Sequence, residues 1–124
     1  MAHDLDAILS EVLAHFAPMP TIHITWAEHH DTAHHRDHWG QAWWTRDGRF
    51  IGISKRLRRA PKFVIRYVVF HEVLHMALLP RDSRAETWRK GDRYRITWHH
   101  RAFRIAERLW PKRGLAEQWL EDHT

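Results

Sequence analysis

In a chain of 124 residues without cysteine, the side chains able to do chemistry are histidines and carboxylates, and they are concentrated. Five consecutive residues, His71-Glu72-Val73-Leu74-His75, form the pattern His-Glu-x-x-His. On a helix, residues four apart sit one turn apart and about 40° around the axis, so both imidazoles can reach one metal ion from one face. Glu72 follows His71 by about 100°, at the edge of that face. From there its carboxylate can take a proton from a metal-activated water without ligating the metal. The same five residues would also suit a solvated helix face. Here they lie inside the apolar run KFVIRYVVFHEVLHMALL, residues 62–79, where two imidazoles and a carboxylate are costly to bury without a metal to satisfy them.

The absence of cysteine excludes disulfides, thiolate zinc sites and a cysteine nucleophile, so a zinc ion must be held by His, Asp or Glu. A catalytic zinc needs a third protein ligand and an open fourth position. The downstream candidates are His99, His100, Glu86 and Asp82. On a helix opened by Thr97 and ended by Pro111, the apolar residues Ala102, Phe103, Ile105, Ala106 and Leu109 centre about 50° from Trp98. His99 then falls at about 100° and His100 at about 200°. That favours His99 on the core side and sends His100 toward solvent with Arg104 and Glu107. One zinc per chain is the expectation.

The elements that must hold these residues can be read from periodicity. Residues 4–16 carry Leu5, Ile8, Leu9, Val12, Leu13 and Phe16 at helical intervals behind Asp4, an N-cap residue type, and Pro18 and Pro20 follow. Residues 21–27 alternate around Ile22 and Ile24 and predict a strand. Residues 28–38 have no period and predict a loop. Residues 40–45 and 50–54 flank Arg46-Asp47-Gly48-Arg49, whose Asp-Gly step predicts a two-residue hairpin turn. Pro61 stands where a helix would begin, and the run after it, apolar on nearly every side, predicts a buried central helix ending at Pro80. Residues 81–97 are polar and irregular, with one helical turn near 84–89. The helix of His99 follows, and Gly114 sets off a short last helix, 115–122. The fold class is therefore α+β: a small antiparallel or mixed sheet of about three strands packed on the buried His-Glu-x-x-His helix, with an N-terminal helix and a C-terminal helix bearing the third ligand.

Composition bounds the rest. With 44% hydrophobic and 12% aromatic residues, the chain can bury a core as a single domain, residues 1–124. The apolar stretch is interrupted by Arg66, His71, Glu72 and His75, which suits neither a membrane span nor a signal h-region, and the first residues, MAHDLDAILSEV, begin with acids, so a cytoplasmic protein without membrane contact is expected. It is expected to be a monomer. Lys and Arg number 20 against 15 Asp and Glu, a formal charge of +5, which suits a polyanion without requiring one. Lys55, Arg56, Arg58 and Arg59, with Arg101, Arg104 and Arg108, offer a surface for DNA contact, although a solvated charged face is the default. Of the adjacent Trp43 and Trp44, one can be core and the other can line a cleft or stack on a base. His29, His30, His34, His35 and His38 could hold a second metal, but a solvated loop is the simpler reading because no apolar anchors fix ligand geometry there.

Taken together, HWGQAWW, GRFIGISKRLRRAP leading into YVVFHEVLH, and the later WHHRAF resemble a minimal SprT-like zinc metallopeptidase domain, a group related to the YgjP/WLM proteins and the Spartan proteases. The likeness covers residues 21–110. WHHRAF is similar to the family's His-Gly-x-x-Phe segment, with His99 at the third ligand and Phe103 four later. The chain departs from the pattern where His100 replaces the usual glycine and where the connection from His75 to His99 is longer; it also carries no cysteine-rich zinc ribbon. The resemblance implies hydrolysis of a protein or peptide substrate by a zinc-bound water, with His71, His75 and His99 as ligands and Glu72 as general base. Tyr94, His100 or an arginine within 81–95 would stabilise the oxyanion. It further implies that substrate pairs with an edge strand, which residues 41–45 or 50–54 would supply. Two alternatives stand beside it: a zinc-stabilised nucleic-acid-binding module, and a DNA-dependent, Spartan-like protease.

Overall fold

A computed structural model describes residues 3–27, 39–78, 87–90, 93–96 and 101–123. The first helix, α1 (Leu5–Leu13), forms as its periodicity predicts: Leu5, Ile8, Leu9 and Val12 are buried, and the Asp4 carboxylate accepts the Ala7 N–H at 3.1 Å. It ends before Phe16, because the His15 and Phe16 N–H groups turn back to Val12 and Leu13 and tighten the last turn.

Three strands meet the sheet expectation. β1 (Ile22–Ala27) runs parallel to β3 (Gly48–Ser54), and β2 (Gly40–Thr45) pairs antiparallel with β3. The hairpin turn falls one residue earlier than the Asp-Gly step suggests. Arg46 and Asp47 form it and Gly48 already pairs with Thr45 at φ 145°, while the Asp47 N–H is held by the Thr45 hydroxyl. Ile22, Ile24, Ala42, Ile51 and Ile53 are buried on one face.

The sheet is larger than expected. β4 (Thr87–Lys90) and β5 (Arg93–Ile96) form an antiparallel pair that joins β2, and the five strands run in the order β1-β3-β2-β5-β4. Residues 87–89 are thus strand where a helical turn was expected. Alternation of Trp88, Tyr94 and Ile96 with charged neighbours suits a pleated surface, and pairing of β4 with β5, itself joined to β2, decides between the two conformations. β3 is interior, and β2 is covered by β5 at Trp43 and Trp44, so the expectation that residues 50–54 supply a free edge fails. For 41–45 it fails at those two residues.

α2 (Lys62–Leu78) packs across the sheet and against α1, the Val64 and Ile65 N–H groups donating to the Pro61 carbonyl. Val64, Ile65, Val69, Val73 and Met76 are fully buried, each worth about 1.5–3 kcal/mol relative to exposure. Among the described residues no helix is long and apolar enough to cross a membrane.

α3 (Arg101–Arg108) and α4 (Arg113–Asp122) close the core. Two expectations are corrected here. The apolar periodicity places Ala102, Ile105 and Leu109 in the core, yet all three are exposed, Leu109 by 79%. The inward face is instead Phe103, Ala106, Glu107 and Trp110, because Phe103 is buried and Trp110 stacks on Phe70 at 4.3 Å. Gly114 lies within α4 and does not precede it; the break comes at Lys112, whose φ is 61°.

Candidate metal centre

α2 carries His71 and His75 one turn apart, and both rings meet α3. Their centroids are 5.1 Å apart, and the Phe103 ring packs against His71 at 4.9 Å and against His75 at 4.5 Å. One buried phenyl ring thus bears on both imidazoles and limits their rotation. His75 is buried, and the His71 side chain is 24% exposed, open on one side.

Glu72 is buried at the sheet side of the pair. Its position depends on Gly40 at the start of β2. A Cβ there would stand 3.0 Å from Val68 Cγ1 and 3.2 Å from the Glu72 carboxylate, so the absence of a side chain gives that carboxylate its room.

Glu107 is the residue that sequence reading misplaced. It was expected to face solvent, but its side chain is only 12% exposed and its Oε2 lies 2.5 Å from His71 Nδ1. A signal existed in the spacing: Glu107 follows Phe103 by one helical turn and shares its face. The apolar Ile105 and Leu109 masked it by pulling the inferred core face around the helix.

Behind Glu107 stands a chain of polar contacts. Arg113 Nε is 4.0 Å from Glu107 Oε1, and Arg113 also pairs with Glu117 at 3.1 Å. The Tyr67 hydroxyl donates to Glu117 at 2.8 Å. Burial, then the Glu117 hydrogen bond and the charges of Glu107 and Glu117, hold the Tyr67 phenol protonated far above its usual range. Burial alone would pull the His71 imidazole down. The hydrogen bond to Glu107 and the charges of Glu72, Glu107 and Glu117 outweigh it, so the pKa of His71 is raised above the ordinary histidine value.

Of the residues proposed from sequence, His71, Glu72 and His75 are brought together. Tyr94 is placed by its backbone in β5, opposite Trp44. His99, His100, Asp82 and Glu86 lie outside the described residues, as do the histidines between 29 and 38. Among the described residues no cluster of three His, Asp or Glu side chains is arranged to hold a metal ion. No family profile, curated protein or solved structure gives a match to the chain.

Proposed function

We propose that the chain is a zinc-dependent metallopeptidase of the His-Glu-x-x-His type. The observation that carries this reading is the triplet on α2, with Glu72 and His75 buried and His71 open on one side: two imidazoles beside one phenyl ring, and Glu72 seated against a glycine that leaves it space. The donor set fits zinc, whose ligands are neutral imidazoles and carboxylates when no thiolate is present. His71 and His75 would hold it through Nε2, and His99 is the proposed third ligand, four residues before Phe103 in the sequence. Zinc bound there supplies a Lewis acid and lowers the pKa of a coordinated water to about 7.

The chain's own residues account for the remaining work. Glu72 is the general base, taking the proton and later returning it to the leaving amine. Among the described residues β5 pairs with β2 at Trp43 and Trp44, and an extended peptide would pair along β2 from Gln41 toward Gly40. Gly40 at its end adjoins Glu72, so a bound peptide bond would lie near the base. Tyr94 and His100 are proposed oxyanion donors.

The test combines metal analysis with cleavage of an unstructured protein such as casein. About one zinc per chain is expected, together with slow proteolysis that a chelator stops. Glu72→Gln should lower the rate by about 10²–10⁴-fold while metal content is unchanged. Loss of metal in Glu72→Gln, or undiminished cleavage, would remove Glu72 from the role of base. A fourth protein ligand closing the zinc sphere would instead favour the zinc-stabilised nucleic-acid-binding module.

The DNA-dependent variant of the reading draws on Arg101, Arg104 and Arg108, all exposed along α3. Single-stranded DNA should then bind with a steep salt dependence, about 0.7 log-log units per phosphate neutralised, and accelerate cleavage. Absence of binding near physiological salt leaves a general peptidase.

A further inference from the structure

We infer that Glu107 is the positioning residue for His71, fixing the ring so that Nε2 faces outward as an acceptor. The inference rests on the metal reading above and deepens it. The geometry carries the argument. Glu107 Oε2 meets His71 at Nδ1, and a carboxylate there accepts from Nδ1–H, so that in the neutral ring the lone pair is left on Nε2, the nitrogen on the far edge. A carboxylate bonded at Nδ1 faces away from anything bound at Nε2, which makes Glu107 an orienting group and not a ligand. A metal-ligating imidazole ordinarily requires such a partner, which sets its tautomer and raises its basicity as a donor.

Three further features fit this role. Glu107 is nearly buried, so the bond is little screened. The guanidinium of Arg113 reaches Glu107 from α4 and is anchored by Glu117, so a positive charge stands behind the carboxylate. Phe103, one turn earlier on α3, packs on the same imidazole, so ring plane and tautomer are set by one helix. His75 shares the phenyl ring but lies one turn further along α2, and Glu107 acts on His71.

The experiment uses the full chain and the variants Glu107→Ala and Glu107→Gln. Zinc affinity is measured by competition with a chelator, cobalt-substituted protein is examined by absorption, and the tautomer of His71 is read from long-range proton–nitrogen NMR. Glu107→Ala is expected to weaken zinc binding by about 10–100-fold. Glu107→Gln keeps an oxygen that accepts from Nδ1–H, and should recover most of that loss with the cobalt spectrum unchanged. If Glu107→Ala does not fold, the isosteric glutamine variant still decides the matter. A loss of zinc in Glu107→Gln as deep as in Glu107→Ala, with an altered cobalt spectrum, would make Glu107 a ligand and overturn the inference. Equal losses of thermal stability without any change in zinc affinity would reduce it to a packing role. Should the wild-type chain take up no zinc, the metal reading falls by itself. The inference then turns on the metal-free chain at alkaline pH, where Nδ1–H supports it and Nε2–H with Glu107 in place sinks it.

Discussion

The two helices that meet at the histidines are built on opposite plans. α2 is apolar almost all round and buries eleven of its seventeen residues, the site's own Glu72 and His75 among them. α3 buries one residue, Phe103, and turns Ile105 toward solvent. The first helix is held by the whole core, so its two histidines keep their spacing because nothing around them can move cheaply. The second is held at three places on one stripe, Phe103 against the imidazoles, Glu107 on His71, and Trp110, just beyond its end, on Phe70. On the proposed reading, such a site has a rigid half that supplies His71 and His75 and a half held at fewer contacts that orients His71.

That contrast can be broken most directly at Phe103. Phe103→Ala should cost about 3–5 kcal/mol in denaturant unfolding, a large effect for a helix with one buried side chain. A loss under about 1 kcal/mol would show that α3 is anchored elsewhere. On α2, Ile65→Ala, remote from the histidines, should cost about 2–5 kcal/mol, while chelator competition shows zinc affinity nearly unchanged. A matching fall in affinity would mean that the rigid half is not autonomous. Gly40→Ala should cost about 1–3 kcal/mol through overpacking against Val68. It should also displace the Glu72 carboxylate and so lower the cleavage rate more than the zinc content; equal declines in both would detach Glu72 from Gly40. Smallest of all, Leu109→Gln on the outer face of α3 should shift stability by no more than about 0.5 kcal/mol, and a larger change would return Leu109 to the core.

The difference between the helices also explains what could be read in advance. The rigid half was legible because α2 has a long apolar run and a short chemical pattern within it, and both depend only on local sequence. The sheet was legible where alternation and a turn dipeptide coincide, from Ile22 to Ser54. β4 and β5 were not, because their charged residues carry little apolar signal and become strand by pairing, β5 with β2 and β4 with β5. α3 defeated periodicity for a physical reason. Its inward stripe includes a carboxylate chosen for a histidine, and its outward stripe includes leucine and isoleucine, so a rule that equates apolar with inward turns the helix the wrong way. Glu107 becomes visible only once α2 and α3 are placed together.

The contacts from Arg113 and Glu117 back to Glu107 and Tyr67 impose an order in time as well as in space. A chain folds from its N-terminus as it is synthesised, so the His71 and His75 pair leaves the ribosome well before the arginine that supports its orienting carboxylate. On the proposed reading, a nascent chain holds two of the ligands before the carboxylate that aligns one of them. The orienting bond is complete only once Glu107 has emerged, and its support from Arg113 only once α4 has docked.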